Sequence, residues 1–177
     1  MNERHQILEQ ILILRCQMGD KAAFAELFNR HEAPLRYFVS HLLADKQTSD
    51  DMLQEIWLSV LAKISTLKKA DAFRAWLYRI ARNKVYQQLR RTQQATKIQE
   101  ELPLIAETED CEFSAEDAER IHQSLAKLKI EHREALMLRF LEQMPYQQMA
   151  EVTGCNVGTI RSRIHYAKLA LRQELEK

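Results

Sequence analysis

The polar side chains with the clearest chemistry occupy one short stretch near the end of the chain, residues 156–166. A regular apolar set runs through it at intervals of three and four residues, which predicts a helix with one buried stripe: Val157, Ile160, Ile164, Ala167 and Leu171. The remaining surface then carries a polar set: Gly158, Thr159, Arg161, Ser162, His165 and Tyr166. A guanidinium can make a bidentate contact to guanine, and short hydroxyl side chains suit phosphates or base edges. This surface therefore indicates a nucleic-acid contact, with an ordinary solvated face as the alternative.

The residues just before this stretch predict a helix, a tight turn and then the polar helix. Pro145 suits a first helical turn, and Gly154 suits a left-handed C-cap. Asn156 suits the N-cap of the next helix, and Ala150 is small where two helices would cross closely. Together these features are typical of a helix-turn-helix whose second helix enters a DNA groove.

A second basic surface is predicted on the helix that covers residues 73–91. Its core positions are expected at Phe73, Trp76, Leu77 and Ile80. Away from that core, one face should carry cations interleaved with an aromatic ring and an amide: Arg79, Arg82, Asn83, Tyr86 and Arg90. Cations follow phosphates and a ring can stack on an unpaired base, so this face suits single-stranded nucleic acid. The alternative is a surface helix whose arginine stems cover apolar neighbours.

Two helices are expected before this one. The first should begin with Asp20 as its N-cap and bury an apolar set: Phe24, Leu27, Phe28, Leu35 and Phe38. The second should begin at residues 48–50 and bury Leu53, Ile56, Trp57, Val60 and Ile64. Opposite that stripe lie Asp51, Gln54, Glu55 and Leu58. An exposed leucine among carboxylates is unsuited to DNA and suits a protein partner.

The composition favours helix throughout the chain. Its 177 residues include only three glycines and three prolines, so few positions can form hairpins. The length suits one ordinary domain or two small helical ones. We therefore predict an all-α fold of two small helical domains, of which the C-terminal one is a helix-turn-helix.

A net charge of +1 conceals a strong segregation of charge along the chain. Residues 60–91 carry nine Lys or Arg against one acidic residue, whereas residues 92–119 carry one against nine. Two basic modules separated by an acidic segment are typical of nucleic-acid-facing domains joined by a linker. The acidic segment also loses helical periodicity and contains Pro103, which favours flexibility. We predict an N-terminal domain at 1–91, a flexible acidic linker at 92–118 and a C-terminal domain at 119–177.

Other features of the sequence bear on its location. No apolar run approaches the length that crosses a bilayer, and the polar N-terminus is unlike a secretory signal. Cys16, Cys111 and Cys155 are odd in number and lack CxxC spacing, which suits a reducing compartment. We expect a soluble cytoplasmic protein without membrane insertion.

No catalytic or metal-binding set is evident. His31 and His41 are ten residues apart, a spacing unsuited to one metal on one helix face, and His122 and His132 repeat it. Cys155 has no obvious base beside it, which argues against a nucleophile. We expect neither an enzyme nor a metal or other cofactor.

Four segments of the chain, in order, closely resemble successive regions of bacterial RNA polymerase sigma factors of the extracytoplasmic-function (ECF) group. They are GDKAAFAELFNRH, SDDMLQEIWLSV, AFRAWLYRIARN and LMLRFLEQMPYQQMAEVTGCNVGTIRSRIHYAKLAL. The most specific parts are Asp51 with Gln54-Glu55, the residues from Trp76 to Asn83, and the residues from Val157 to Arg163. The resemblance covers nearly the whole chain except residues 1 to about 15 and the linker.

The resemblance implies a role for each predicted face. The N-terminal domain would be region 2-like and bind the clamp coiled coil of core polymerase through Asp51, Gln54, Glu55 and Leu58. It would also read the melted −10 strand through Lys68, Lys69, Arg79, Arg82, Asn83, Tyr86 and Arg90, with the loop LKKADAF near a flipped-out base. The C-terminal domain would be region 4-like and read the duplex −35 element through Thr159, Arg161, Ser162, Arg163, His165 and Tyr166.

The resemblance implies further partners as well. Besides promoter DNA and the clamp, these partners would be the polymerase flap and an anti-sigma factor. The acidic linker would pass toward the active-site cleft and RNA exit path of the polymerase.

Two other protein classes remain open from the residues alone. A stand-alone helix-turn-helix regulator would explain the C-terminal domain only, and a helical adaptor would never bind DNA. Dependence on core polymerase separates the first from a sigma factor, and steep salt dependence of binding separates the second.

Overall fold

The computed structural model describes residues 3–43, 45–95 and 124–175, with side chains from Gln6 to Thr92 in the first two ranges. These residues form α-helices and short turns and include no strand, which confirms the all-α prediction. The helices are α1 (Glu3–Gln17), α2 (Lys21–Leu42), α3 (Lys46–Lys63), α4 (Phe73–Ala95), α5 (Ile130–Leu136), α6 (Tyr146–Thr153) and α7 (Val157–Leu175). Two compact units result, the first built mainly from residues up to Gln87 and the second mainly from those after it.

Aspartates begin two helices of the first unit. Asp20 is the N-cap of α2, as predicted, and its carboxylate accepts a hydrogen bond from Ala23 N at 3.0 Å. The predicted start of α3 at residues 48–50 is wrong, because Asp45 caps the helix from Lys46. Asp45 accepts from Thr48 N at 2.7 Å, so Thr48 lies inside the first turn.

The core of the first unit is formed by facing stripes of α2, α3 and α4, with α1 packed against α2. All five predicted α3 positions, from Leu53 to Ile64, are buried. Phe24 and Phe28 are half-buried and pack on Trp57, with ring centroids 6.2 and 4.8 Å from it. Phe38 packs edge-on against Tyr78 at 5.0 Å.

The buried stripe of α4 differs from the predicted one. Phe73 and Leu77 are buried as expected, but Trp76 and Ile80 are only half-buried. Tyr78, Ala81 and Val85 occupy the core in their place. The inward face is therefore rotated around the helix, which leaves Trp76 at the margin of the solvent face.

The second unit confirms the helix-turn-helix. Residues 124–127 are helical, and Leu125, Leu128 and Leu136 form one buried cluster with Ala167 and Leu171 of α7. Met149 N donates to Pro145 O at 3.1 Å at the start of α6, and Gly154 adopts a φ of +70° at the turn, as predicted.

An irregular helical segment sets the orientation of Phe140 in the second unit. After α5 the chain continues as a π-helical segment, Met137–Leu141, in which Glu142 N donates to Met137 O at 3.0 Å. A turn one residue wider than an α-helical one rotates the side chains that follow. Met137 and Leu138 are buried as a result, and Phe140 and Leu141 are exposed.

The predicted linker falls almost wholly outside the described residues. Residues 92–95 belong to α4, so that helix continues past the predicted domain end at 91. The remainder of 92–118, which includes Cys111, is not described, and neither is His122. In the described ranges, no helix combines the length and hydropathy that a membrane span requires.

Candidate nucleic-acid and protein interfaces

The turn before α7 orients the N-terminus of the polar helix. Asn156 Oδ1 accepts hydrogen bonds from Thr159 N at 2.7 Å and from Thr159 Oγ1 at 3.0 Å. Asn156 is therefore the predicted N-cap, and the Thr159 hydroxyl is held by it. Gly158 is exposed in this first turn and has no side chain that would keep a large ligand away from the backbone.

Behind the polar surface, four of the five predicted apolar positions of α7 are buried and Val157 is half-buried. Arg161 and Ser162 are exposed, while Thr159, His165 and Tyr166 are half-buried. Ser162 Oγ donates to Gly158 O at 3.2 Å and keeps lone pairs that can accept from outside. These side chains form one continuous surface, which we call the α7 face: Gly158, Thr159, Arg161, Ser162, His165 and Tyr166.

Tyr146, which the sequence reasoning missed, lies beside the key arginine of this face. The Arg161 guanidinium carbon is 5.9 Å from the centroid of the Tyr146 ring, and that of Arg139 is 5.1 Å from it. Arg139 Nη1 also donates to Met144 O at 3.2 Å. A tyrosine ring in contact with two guanidinium groups limits their rotation through cation–π contacts. Nothing in the sequence signalled this contact, because Tyr146 and Arg161 are 15 residues apart on different helices and no helical period relates them.

Arg163 is oriented differently from the other predicted DNA contacts of α7. It is half-buried, and its Nη1 atom has no solvent access and no hydrogen-bond partner among the described residues. Its charge acts on His132 of α5, where burial chiefly, and also nearby cations, lower the pKa of the imidazole. Arg163 therefore lies at the edge of the buried stripe and apart from the α7 face.

The solvent side of α4 brings together the five polar residues predicted for it. Arg79, Asn83 and Arg90 are exposed, and Arg82 and Tyr86 are half-buried. The Arg82 guanidinium carbon lies 4.2 Å from the centroid of the Tyr86 ring, a cation–π contact that holds both groups. We call this surface the α4 face.

Trp76 and a basic loop extend the α4 face. Trp76 is half-buried and was wrongly placed in the core, although its helical position is next to Arg79. Lys68 and Lys69 precede α4 in the chain, and both lysines are exposed. The α4 face and this loop therefore offer cations together with an aromatic ring.

Gln17 of α1 holds the loop that carries these lysines. Its Nε2 atom donates to Ile64 O at 3.1 Å and to Leu67 O at 2.7 Å. Two short 3-10 turns, Ile64–Thr66 and Ala70–Ala72, flank the lysine pair. Gln17 is a positioning residue that the sequence did not reveal, because its partners are backbone atoms about 50 residues away.

The third surface lies on α3. Asp51, Gln54, Glu55 and Leu58 are all exposed, and Leu58 is exposed to 66%. Glu55 Oε2 lies 3.0 Å from Lys84 Nζ of α4, so part of its charge is already compensated. We call this surface the α3 patch.

An apolar groove of about 360 Å³ adjoins the α3 patch. Phe24 and Phe28 of α2 line it, together with Trp57, Leu58 and Leu61 of α3. Trp57 Nε1 is buried, and no acceptor among the described residues lies within hydrogen-bonding distance of it. A groove with apolar walls beside exposed carboxylates suits a protein partner that brings an apolar side chain.

The described histidines and carboxylates form no group of three that could hold a metal ion. His31 is buried and its Nε2 atom lies 2.7 Å from Glu9 Oε1, and this hydrogen bond is the main cause of the lowered pKa of Glu9. Phe73 packs edge-on against the His31 ring, with the ring centroids 5.3 Å apart. This pair joins α1 to α2 within the core, which is a structural role.

An all-α chain with a helix-turn-helix unit and a second basic helix has an architecture that is typical of DNA-binding transcription proteins. Comparisons with known proteins identify the family within that class. The family model for Sigma-70 region 2 matches residues 27–95, and the model for Sigma-70, region 4 matches residues 118–171.

Individual relatives agree with both family models. The RNA polymerase sigma-H factor of Pseudomonas aeruginosa is 30% identical over 181 residues, which cover 95% of this chain and 94% of the relative. The ECF RNA polymerase sigma-E factor of Haemophilus influenzae is 28% identical over 184 residues, 97% of each chain. The solved structure of the sigma factor RpoE from Bartonella quintana, in complex with the anti-sigma factor NepR, superposes with a TM-score of 0.69 and 25% identity. That superposition covers 86% of this chain and 96% of the other.

The chain therefore belongs to the RNA polymerase sigma factors of the ECF group. Members of this family bind core RNA polymerase and promoter DNA and direct transcription initiation at promoters, so the resemblance read from the sequence is confirmed. The roles of the α7 face, the α4 face and the α3 patch are a separate question, which depends on the residues of this chain.

Proposed function

We propose that this sigma factor directs initiation through three separate surfaces: the α7 face on the duplex −35 element, the α4 face on the melted −10 strand, and the α3 patch on core polymerase. The observation that carries the proposal is the segregation of the exposed side chains. Cations and aromatic rings occupy α4 and α7, while carboxylates and leucines occupy α3. The domains follow as proposed from the sequence, at 1–91 and 119–177 with the linker 92–118 between them, except that α4 continues to Ala95.

On the −35 side, Arg161 is the residue we expect to discriminate between bases. It is exposed, and the neighbouring Tyr146 ring limits its rotamers before DNA arrives. A bidentate arginine contact to guanine contributes about 1–3 kcal/mol of discrimination. Ser162, His165 and Tyr166 lie around it and suit phosphates and base edges. For Arg163 we propose a supporting role within the second unit, because its side chain is half-buried.

On the −10 side, the α4 face offers both electrostatic and stacking contacts. Arg79, Arg90 and the loop residues Lys68 and Lys69 would follow the phosphates, and Asn83 would hydrogen-bond an unpaired base. Tyr86, held by Arg82, and Trp76 supply ring surfaces. Stacking of a base on an aromatic side chain contributes about 1–3 kcal/mol. That offsets much of the cost of taking a base out of the stack, a few kcal/mol, so capture of unpaired bases favours promoter opening.

On the polymerase side, the α3 patch and its groove suit the clamp coiled coil. Leu58 and Leu61 would bury apolar area there, and Glu55 would exchange its contact with Lys84 for one with a basic residue of the clamp.

Phe140 and Leu141 of the second unit are exposed and also suit a protein contact, which we assign to the polymerase flap. We also propose a cytoplasmic location and restraint by an anti-sigma factor, since the RpoE relative is bound to one. The chain supplies no bond chemistry of its own in this mechanism.

Run-off transcription from a pool of random DNA fragments, with purified core polymerase and with or without this protein, tests the proposal. Discrete protein-dependent transcripts whose templates share two spaced elements are expected. If the protein alone binds duplexes selectively and adds no transcripts, it is a stand-alone regulator and the proposal fails.

Matched variants assign the surfaces in the same assay. Arg161→Ala should relax selection at the upstream element while core binding survives, and Arg172→Ala, further along α7, is its control. Glu55→Ala should weaken core binding. Lys84→Ala breaks the same Glu55–Lys84 pair but leaves the carboxylate available, so it should bind core normally. Equal loss of core binding in both variants would mean that Glu55 acts within the fold and does not contact polymerase.

A further inference from the structure

The outer side of α1 carries an apolar stripe that its own unit does not cover. Leu12, Ile13 and Cys16 face the core and are buried. On the opposite side, close to half or more of each of four apolar side chains is exposed: Ile7, Ile11, Leu14 and Met18. Met18 N donates to Leu14 O at 3.2 Å, so the helical path continues through Met18. With Leu8 beside the stripe, more than half of the large apolar residues exposed in the described chain lie on or next to this one short element.

The spacing of the stripe is that of a coiled-coil seam. Ile7, Ile11, Leu14 and Met18 follow one another at intervals of four, three and four residues, which places them at the d, a, d and a positions of a heptad. No functional surface described above uses these residues, and the Sigma-70 region 2 match begins only at residue 27. The stripe therefore has the spacing of a helix-pairing surface, and none of the functions proposed above accounts for it.

The stripe is complementary to itself when two copies of α1 run antiparallel. In that arrangement the a positions of one helix meet the d positions of the other, so Ile11 lies opposite Leu14 and Ile7 lies opposite Met18. Two-fold symmetry repeats both layers, and the seam then contains four layers with apolar groups on both sides. The two helix dipoles also oppose each other, whereas a parallel pair would align them.

The flanks of the stripe match in the same arrangement. Gln10 of one copy lies opposite Gln17 of the other, and the two side chains are an amide donor and an amide acceptor. Gln17 uses its Nε2 atom on the basic loop, which leaves its carbonyl oxygen to accept from Gln10. On the other flank Leu8 lies opposite the aliphatic stem of Arg15, whose guanidinium is bound to Asp20 at 2.7 Å. Among the side chains that the structure describes in α1, from Gln6 onward, the pairing therefore buries no unpaired charge.

We propose that α1 is a self-association surface, on which two copies of this chain pair antiparallel through Ile7, Ile11, Leu14 and Met18. Each α1 is already folded against its own unit, so no helix has to be nucleated on pairing. The seam is short, so the expected association is weak and lies in the micromolar range.

Analytical ultracentrifugation of the full chain over a range of concentrations tests the pairing. The wild type should show a reversible monomer–dimer equilibrium. Ile11→Glu should weaken it by at least about tenfold, because it buries a carboxylate in the seam. Leu141→Glu, an equally exposed residue on the second unit, should leave it unchanged. A wild type that stays monomeric into the millimolar range overturns the proposal, and so does a dimer that Ile11→Glu does not affect.

Two substitutions of the same leucine test the antiparallel register. Leu8→Glu and Leu8→Lys remove the same apolar side chain, but the first places a carboxylate opposite Arg15 of the partner and the second places an ammonium there. The Leu8→Glu dimer should therefore be several-fold tighter than the Leu8→Lys dimer, and added salt should reduce the difference. Circular dichroism of each variant establishes that the fold persists. A parallel pair keeps position 8 apart from Arg15 of the partner, so equal dimers, or a tighter one for Leu8→Lys, overturn the antiparallel pairing.

Discussion

Replacing Asn156 by alanine should loosen the first turn of α7 and lower the stability of the helix-turn-helix. Its Oδ1 atom accepts hydrogen bonds from Thr159 N at 2.7 Å and from Thr159 Oγ1 at 3.0 Å, and alanine removes this acceptor and with it both hydrogen bonds. Loss of an N-cap costs about 1 kcal/mol. For a domain of 60–100 residues, this corresponds to a Tm lower by roughly 4–8 °C. Differential scanning calorimetry of the full chain measures it, and an unchanged Tm would refute the stabilising role of the cap.

Asn156→Asp separates helix stability from DNA contact. Aspartate keeps the acceptor for Thr159 N, and its charge at a helix N-terminus contributes about 0.3–1 kcal/mol of stabilisation. Its Tm should therefore equal or exceed that of the wild type. The same charge would repel phosphates beside α7, so transcription from −35-dependent templates should fall several-fold. Wild-type transcription by this variant would mean that the N-terminus of α7 does not face the DNA backbone.

Three further predictions concern other parts of the chain. Gln17→Leu removes two hydrogen bonds to the basic loop, and it should lower the free energy of unfolding, measured in urea, by about 1–3 kcal/mol and weaken promoter opening. Unchanged promoter opening would mean that the loop does not contribute to the −10 site. Gly154→Ala should lower the free energy of unfolding by about 1 kcal/mol, because φ is +70° at this position. No atom lies within 4 Å of the added Cβ, so the expected loss comes from the backbone conformation alone. An undiminished free energy of unfolding would contradict the left-handed turn. The pKa of Asp20 is lowered from 3.8, chiefly by the hydrogen bond from Ala23 N, so its contribution to stability is present above that pH and is lost as the pH falls through the folded-state pKa. Asp20→Asn should flatten the acid limb of the stability curve, and an unaltered limb would exclude this carboxylate as its cause.

Local signals predicted much of the fold correctly. Helix caps involve contacts three residues apart, so Asp20 and Asn156 could be recognised from their neighbours alone. The stripes of α3 and α7 were correct because a 3.6-residue period fixes which side chains share a face. The exposed residues of the α7 face and the α3 patch followed from the same period.

The errors occurred where the period was ambiguous or interrupted. Helix α1 was not predicted, because apolar residues lie on both of its faces and leave no single stripe. The exposure of Phe140 could not be predicted from a 3.6-residue period, because a π-helical segment shifts the phase of the side chains and no residue type indicates such a segment. Trp76 was assigned to the core by its apolar type, although its helical position is next to Arg79.

The sequence by itself determined the all-α class, the helix-turn-helix, the segregation of charge and the resemblance to ECF sigma factors, since all of these depend on residue type and short spacing. Only the tertiary structure decided how these surfaces are supported. The support of the basic loop by Gln17 and of Arg161 by Tyr146 joins residues from different elements, as does the partial compensation of Glu55 by Lys84. The exposure of the outer stripe of α1 was likewise decided by the tertiary structure. Such contacts depend on how helices pack, and packing brings together side chains that no periodicity in the sequence relates.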